Sequence, residues 1–184
     1  TVDFRAALEA IAPPLRRVTA IAAGDAGSLW LATLGGLHRL DIATRRAQAV
    51  PIGEAVHLRS LLRARDGSLW LGTSSSGVVH RAIDGRLRTW RVGAGGEDTA
   101  PVVHALLEDA RGRIWAGTGD GLGLIDPAAG TYRHFVHGVD DPDSLRGNLV
   151  RALHQSRDGT LWVGTHAGLS RVAEDASGRI TFDH

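Results

Sequence analysis

The chain has 184 residues and no cysteine, so its reactive groups are histidines, carboxylates and arginines. His104 and His166 with Asp120 could supply a general base, an acid and ligands for a metal, the needs of a lyase or hydrolase. Their spacing does not demand it. They stand 16 and 46 residues apart and form no compact motif such as two histidines flanking a glutamate. The same groups, with Arg59, Arg151 and the serines Ser74, Ser75 and Ser76, suit recognition of a polar ligand on a rigid surface. Which chemistry is open to them depends on the elements that carry them.

Those elements come from a motif written four times: AGSLWLAT, DGSLWLGT, RGRIWAGT and DGTLWVGT. Its tryptophans Trp30, Trp70, Trp115 and Trp162 are 40, 45 and 47 residues apart. That period marks an array whose unit is one supersecondary element. Each copy begins with a turn glycine, Gly27, Gly67, Gly112 or Gly159. Asp-Gly before an apolar run predicts a tight hairpin with positive φ at both central residues. The apolar run around each tryptophan predicts a strand covered on both faces.

Aligned on the tryptophans, Val18, Leu58, Val103 and Val150 open an earlier strand. Small residues Ala20, Ser60, Ala105 and Ala152 follow two positions on, implying a close approach of backbones. Gly36-Leu37, Gly77-Val78, Gly121-Leu122 and Gly168-Leu169 open a third strand. A weaker fourth is readable at Leu87 to Val92, Thr131 to Val136 and Arg179 to Phe182. Four antiparallel strands per unit predict an all-β chain of four four-stranded β-propeller blades. A sandwich of short strands would not explain the near-verbatim repetition.

The blades are expected at about 17–56, 57–101, 102–148 and 149–184. Residues 1–16 lack the motif, and Phe4 to Ile11 suit a short helix or an outer strand of a neighbouring blade, ended by Pro13-Pro14. Each blade hides its faces only by stacking, so four in an open arc would expose two apolar faces. The expectation is a larger ring of six to eight blades, completed by further blades of the parent protein or by a second copy as a homo-oligomer.

Within this frame each tryptophan reads as packing between blades. The turn glycines and aspartates read as hairpin chemistry. The informative positions are those where the repeat varies: Thr19, Arg59, His104 and Arg151 in the first strand, and Ser74 to Ser76, Asp120 and His166 in the turn between second and third strands. If the first strand is innermost, both sets open on the mouth of the central channel.

Net charge is +1, with 21 basic residues scattered among 20 acidic ones, so nucleic acid is not an expected partner. No apolar run approaches the roughly 18 residues of a membrane span. Nothing calls for a cofactor or metal. High Ala, Arg and Gly without Met or Lys suits a GC-rich bacterial gene, and the missing initiator methionine suits a mature or excised segment.

The motif resembles the repeat of the two-component regulator propeller family, approximately D-x-x-G-x-L-W-[ILV]-G-T-x-x-G-L-x-R-[LV]. Val150 to Val172, VRALHQSRDGTLWVGTHAGLSRV, follows it closely, and DDPDSLRGN before it resembles the family connector N-P-x-S-L-x-x-N. Ala32 in place of glycine and Arg111 in place of the turn aspartate are departures. The resemblance implies a bacterial periplasmic sensor that precedes an immunoglobulin-like domain, a transmembrane helix and a kinase or cyclase. It would sense an oligosaccharide or other small polar ligand, without catalysis, and meet the membrane only through parts beyond this segment. An Asp-Gly-x-Leu-Trp repeat also resembles that of virginiamycin B lyase, which keeps a metal-assisted propeller enzyme as the alternative, beside a protein-interaction scaffold.

Overall fold

The structure, a computed structural model, describes residues 17–53, 57–93 and 101–184. These form sixteen strands in four antiparallel sheets of sequential order. Blade one holds β1 (Val18–Ala23), β2 (Ser28–Thr33), β3 (Gly36–Asp41) and β4 (Arg46–Val50). Blade two holds β5 (Leu58–Arg63), β6 (Leu69–Thr73), β7 (Val78–Arg81) and β8 (Leu87–Trp90). Blade three holds β9 (Val103–Glu108), β10 (Ile114–Thr118), β11 (Gly121–Asp126) and β12 (Thr131–Phe135). Blade four holds β13 (Val150–Gln155), β14 (Leu161–Thr165), β15 (Gly168–Glu174) and β16 (Ile180–Asp183). No helix occurs among the described residues. The strand β4 was not legible in the sequence, because RAQAV carries no aromatic or β-branched run. Phe4 to Ile11 lies outside the described residues.

First strands stand side by side, β1 against β5, β5 against β9 and β9 against β13, while strands of blade four make no comparable contact with blade one. The cores lie between successive sheets. Leu37, Ile52, Leu58, Leu69 and Leu71 join blades one and two. Trp70, Val78, Trp90, Val103 and Ile114 join two and three. Trp115, Leu122, Val150, Val163 and Phe182 join three and four. Trp70 and Trp115 are buried, and Trp30 packs half-buried in the core between blades one and two.

The small residues meet where the chain most needs room. Ser60 pairs with Gly72, Ala105 with Gly117 and Ala152 with Gly164. A Cβ on Gly72 would lie 2.7 Å from a Val103 methyl of the next blade, and one on Gly117 would lie 2.7 Å from a Val150 methyl. Blade one has Ala32 there, fully buried opposite Ala20.

The hairpin expectation needs one correction. Asp66 and Asp158 do not have positive φ; Gly67 and Gly159 do, at 88° and 87°. Gly67 donates to the Ala64 carbonyl and Ala64 to the Ser68 carbonyl, which makes a three-residue loop closed by a glycine in the left-handed region. Asp66 Oδ1 then accepts from the Ser68 amide and hydroxyl at 2.8 and 2.7 Å. In blade three Asp109 does this work from two residues earlier. Its Oδ1 takes the Arg111 and Arg113 amides, and its Oδ2 takes Arg113 Nε at 2.8 Å and Trp115 Nε1 at 3.0 Å. Arg113 also reaches Glu174 of blade four at 2.8 Å.

Burial opposes ionisation of Asp109, but the bonds from Trp115 and Arg113 outweigh it and hold the carboxyl below its usual range. Asp109→Ala would leave the mostly buried Arg113 guanidinium with Glu174 alone and the buried Trp115 indole N–H without a partner, and should cost about 3 kcal/mol. Asp66→Ala, in a more exposed turn, should cost less. Urea denaturation of the two variants at neutral pH checks the order. Because the folded pKa is depressed, the Asp109 contribution is present above the ordinary carboxylate value and is lost as pH falls through the lowered one.

Candidate functional site

The four-fold array delivers one irregular residue per blade to the same place. Antiparallel pairing of first and second strands slips once in each sheet, between Val18 and Ala20, Leu58 and Ser60, Val103 and Ala105, and Val150 and Ala152. The residue left without a pairing partner is Thr19, Arg59, His104 or Arg151. A β-bulge of this kind frees one side chain from the alternation of the strand and re-aims it. Thr19, Arg59 and Arg151 are exposed, and His104 is half-buried. The strand starts are held together across blades. Thr19 donates to the Leu58 carbonyl at 3.0 Å, and Ser60 donates to the Val103 carbonyl at 3.0 Å.

A second device fixes the turns beside them. In each blade the threonine ending the second strand donates to the carbonyl of the glycine that opens the third: Thr33 to Gly36, Thr73 to Gly77, Thr118 to Gly121 and Thr165 to Gly168, at 2.8 to 3.0 Å. The same oxygen accepts an amide from within the turn, such as Ser76 or Asp120. These glycines have φ from 79° to 136°, and a Cβ at Gly77 or Gly121 would strike the carbonyl of the neighbouring strand. The turns carrying Ser74 to Ser76, Asp120 and His166 are therefore rigid.

The structure brings only part of the candidate set together. Arg59 donates through Nε to Ser74 Oγ at 2.9 Å, and Ser75 stands exposed in the same turn. His104 lies within electrostatic reach of both Arg59 and Arg151. Asp120 turns elsewhere: a Cβ on Gly93 would lie 3.6 Å from its Oδ2, and its charge adds to burial in raising the Tyr132 phenol. His166 packs on Gly147 of the connector between blades three and four. His104, Asp120 and His166 thus do not form one hydrogen-bonded set, and among the described residues no cluster of three or more His, Asp or Glu side chains is placed to hold a metal ion.

One feature escaped sequence reasoning. The connector HGVDDPDSLRGN folds on itself, with Ser144 bonded to Gly138 and Asp141, and His137 Nδ1 to the Leu145 carbonyl at 2.7 Å. It walls an open groove of about 480 Å³ with His137, Asp140, Arg146, Ala167 and His184. Its proline and paired aspartates signalled a loop, whereas the groove depends on where blade four's last residue returns.

The class defined so far is a run of β-propeller blades with varied polar residues at the bulges of the first strands. The model of the two component regulator propeller family matches residues 98–120 and 144–167, in the repeats of blades three and four. Among solved structures the chain is similar to the extracellular domain of a proposed one component system from B. thetaiotaomicron, with TM-score 0.71 and 18% identity over 90% of this chain and 26% of that one. The extracellular domain of a proposed hybrid two component system from the same organism gives 0.68 and 23% over 89% and 22%. Virginiamycin B lyase from Staphylococcus aureus, in a structure with quinupristin, gives 0.67 and 16% over 90% and 55%. The chain spans about a quarter of the first two and about half of the lyase. No curated protein matches it.

Burial and then the neighbouring cations Arg151 and Arg59 lower the pKa of His104. Its imidazole should therefore titrate below the ordinary histidine value. Arg151→Ala should move the midpoint up toward that value, as read from the ring proton resonances across pH 4 to 8 (roughly centred on the value of about 6.5 for a free histidine).

Proposed function

We propose that this chain is a ligand-sensing segment of a bacterial extracytoplasmic signalling protein, binding a small polar ligand such as an oligosaccharide at the channel mouth, and doing no chemistry itself. The observation that carries the reading is the bulge repeated in all four first strands, which presents Thr19, Arg59, His104 and Arg151 while the surrounding scaffold repeats. The family of the repeats and the printed names of the similar extracellular domains support the signalling role and the location. The separation of His104, Asp120 and His166 favours binding over acid–base catalysis. A kinase, cyclase or other output would belong to another part of the protein.

The reading includes a further blade of the same repeat, supplied by a longer chain, against the outer face of blade four. Trp162, Gly164 and Ala152 occupy there the places that Trp115, Gly117 and Ala105 hold in blade three. Leu122 in blade three is fully covered, whereas its counterpart Leu169 is 54% exposed. On blade one Leu31 and Leu40 on the opposite face are buried.

Two measurements test these statements. Thermal unfolding against an oligosaccharide panel should show one class raising Tm by about 5–10 °C at a hundredfold excess over Kd. A Tm unmoved by every member, in a chain extended by its next blade, would remove the ligand reading. For the blade face, the 184-residue segment should remain monomeric in light scattering, and Trp162 fluorescence should move to shorter wavelength in the extended chain. A stable dimer that buries Leu169 would overturn it.

A further inference from the structure

Resting on the binding reading above, we propose that Arg59, His104 and Arg151 together hold an anionic group of the ligand, a carboxylate or a sulfate. The three side chains leave consecutive, mutually packed strands, β5, β9 and β13, at the same bulge in each. The strand starts cannot drift apart. The Ser60 hydroxyl is bonded to the carbonyl of Val103, the residue before His104, and Val150, the residue before Arg151, fills the space over Gly117.

Charge distribution supplies the second argument. At the opposite rim four arginines meet acids built into the blades: Arg63 pairs with Asp25, Arg65 with Glu108, and Arg111 and Arg113 with Glu174. At the channel mouth neither Arg59 nor Arg151 has a carboxylate within ion-pair distance among the described residues. Arg59 engages Ser74 only through Nε, which leaves its terminal amino groups for another acceptor. A guanidinium offers paired N–H donors in a plane that matches a carboxylate or sulfate, with strength above that of a neutral hydrogen bond.

His104 completes the set. Burial, and after it the neighbouring cations Arg151 and Arg59, disfavour its protonation. A bound anion reverses the local charge balance, so His104 takes up a proton as the anion arrives. The charged groups that bear on it are Arg59 from β5 and Arg151 from β13. Anion affinity should accordingly rise as pH falls from 8 to 5, across the ordinary histidine range around 6.5.

The test uses sodium sulfate and trigalacturonate as probes, with fully methyl-esterified trigalacturonate as the neutral match. Isothermal titration should show the acid form binding at least about ten-fold tighter than the ester, with Arg59→Ala and Arg151→Ala each losing about ten-fold and Arg151→Lys retaining part. Arg157→Ala, an exposed arginine in the turn between β13 and β14, should change nothing. Sulfate should raise the His104 titration midpoint in the wild type and not in Arg151→Ala. Equal affinity for ester and acid, an equal loss in Arg157→Ala, or a His104 midpoint indifferent to sulfate would overturn the inference. A neutral oligosaccharide that raises Tm while sulfate leaves His104 unmoved removes the anion site and keeps the sensor reading. Sulfate acting on His104 while no oligosaccharide raises Tm does the reverse.

Discussion

The fold depends on how closely one sheet can approach the next at the inner strands. Val103 and Val150 each press into a place where the preceding blade has no Cβ to spare. Interiors at this density have no slack for an added methyl group, since a contact of 2.7 Å between carbons is well inside their preferred separation. The first strands are therefore pinned side by side, and the wide outer ends are left for larger groups. Trp70 and Trp115 fill the space two residues along the same second strands as Gly72 and Gly117, and Trp90 fills it from the outer strand of its blade. The Asp109–Arg113–Trp115 network adds a polar tie at the lower end of the same wedge.

Much of this was legible because the sequence repeats. One copy of LWVGT is an apolar pentapeptide of uncertain fate, whereas four copies at similar spacing locate the second strand, the turn on either side and the strand before it. The column Thr19, Arg59, His104 and Arg151 also emerged from alignment alone. The alignment could not reveal that these residues lie at bulges. A period of two assigns every strand residue to one face or the other, and an extra residue is visible only in the pairing register. The turn chemistry was misjudged for a related reason. Asp-Gly fits a two-residue hairpin and a three-residue loop equally well, and the carbonyl of Ala64 decides between them.

The two rims of the array handle charge in different ways. At the lower rim Arg63, Arg65, Arg111 and Arg113 are answered by acids of a neighbouring blade, so these ion pairs bind blades to one another. Pairs such as Arg63–Asp25 are partly exposed and add little each, while the mostly buried Arg113–Glu174 pair is less screened. At the upper rim the polar side chains stand on threonine-locked turns and bulges whose backbone bonds are already satisfied. Of the bulge side chains, Thr19 still ties its strand to Leu58 of the next blade, whereas among the described residues no hydrogen bond of His104 or Arg151 holds the support beneath it.

That independence has an architectural consequence. Because the inserted residue of the inner strands of blades two to four is anchored by its flanking valine or leucine and by a small residue opposite glycine, its identity is uncoupled from the packing that positions it. Each of these sheets thus acts as an interchangeable cartridge carrying a single exchangeable tip. An array of such cartridges can alter the chemistry of its rim one tip at a time, without redrawing the wheel that bears them.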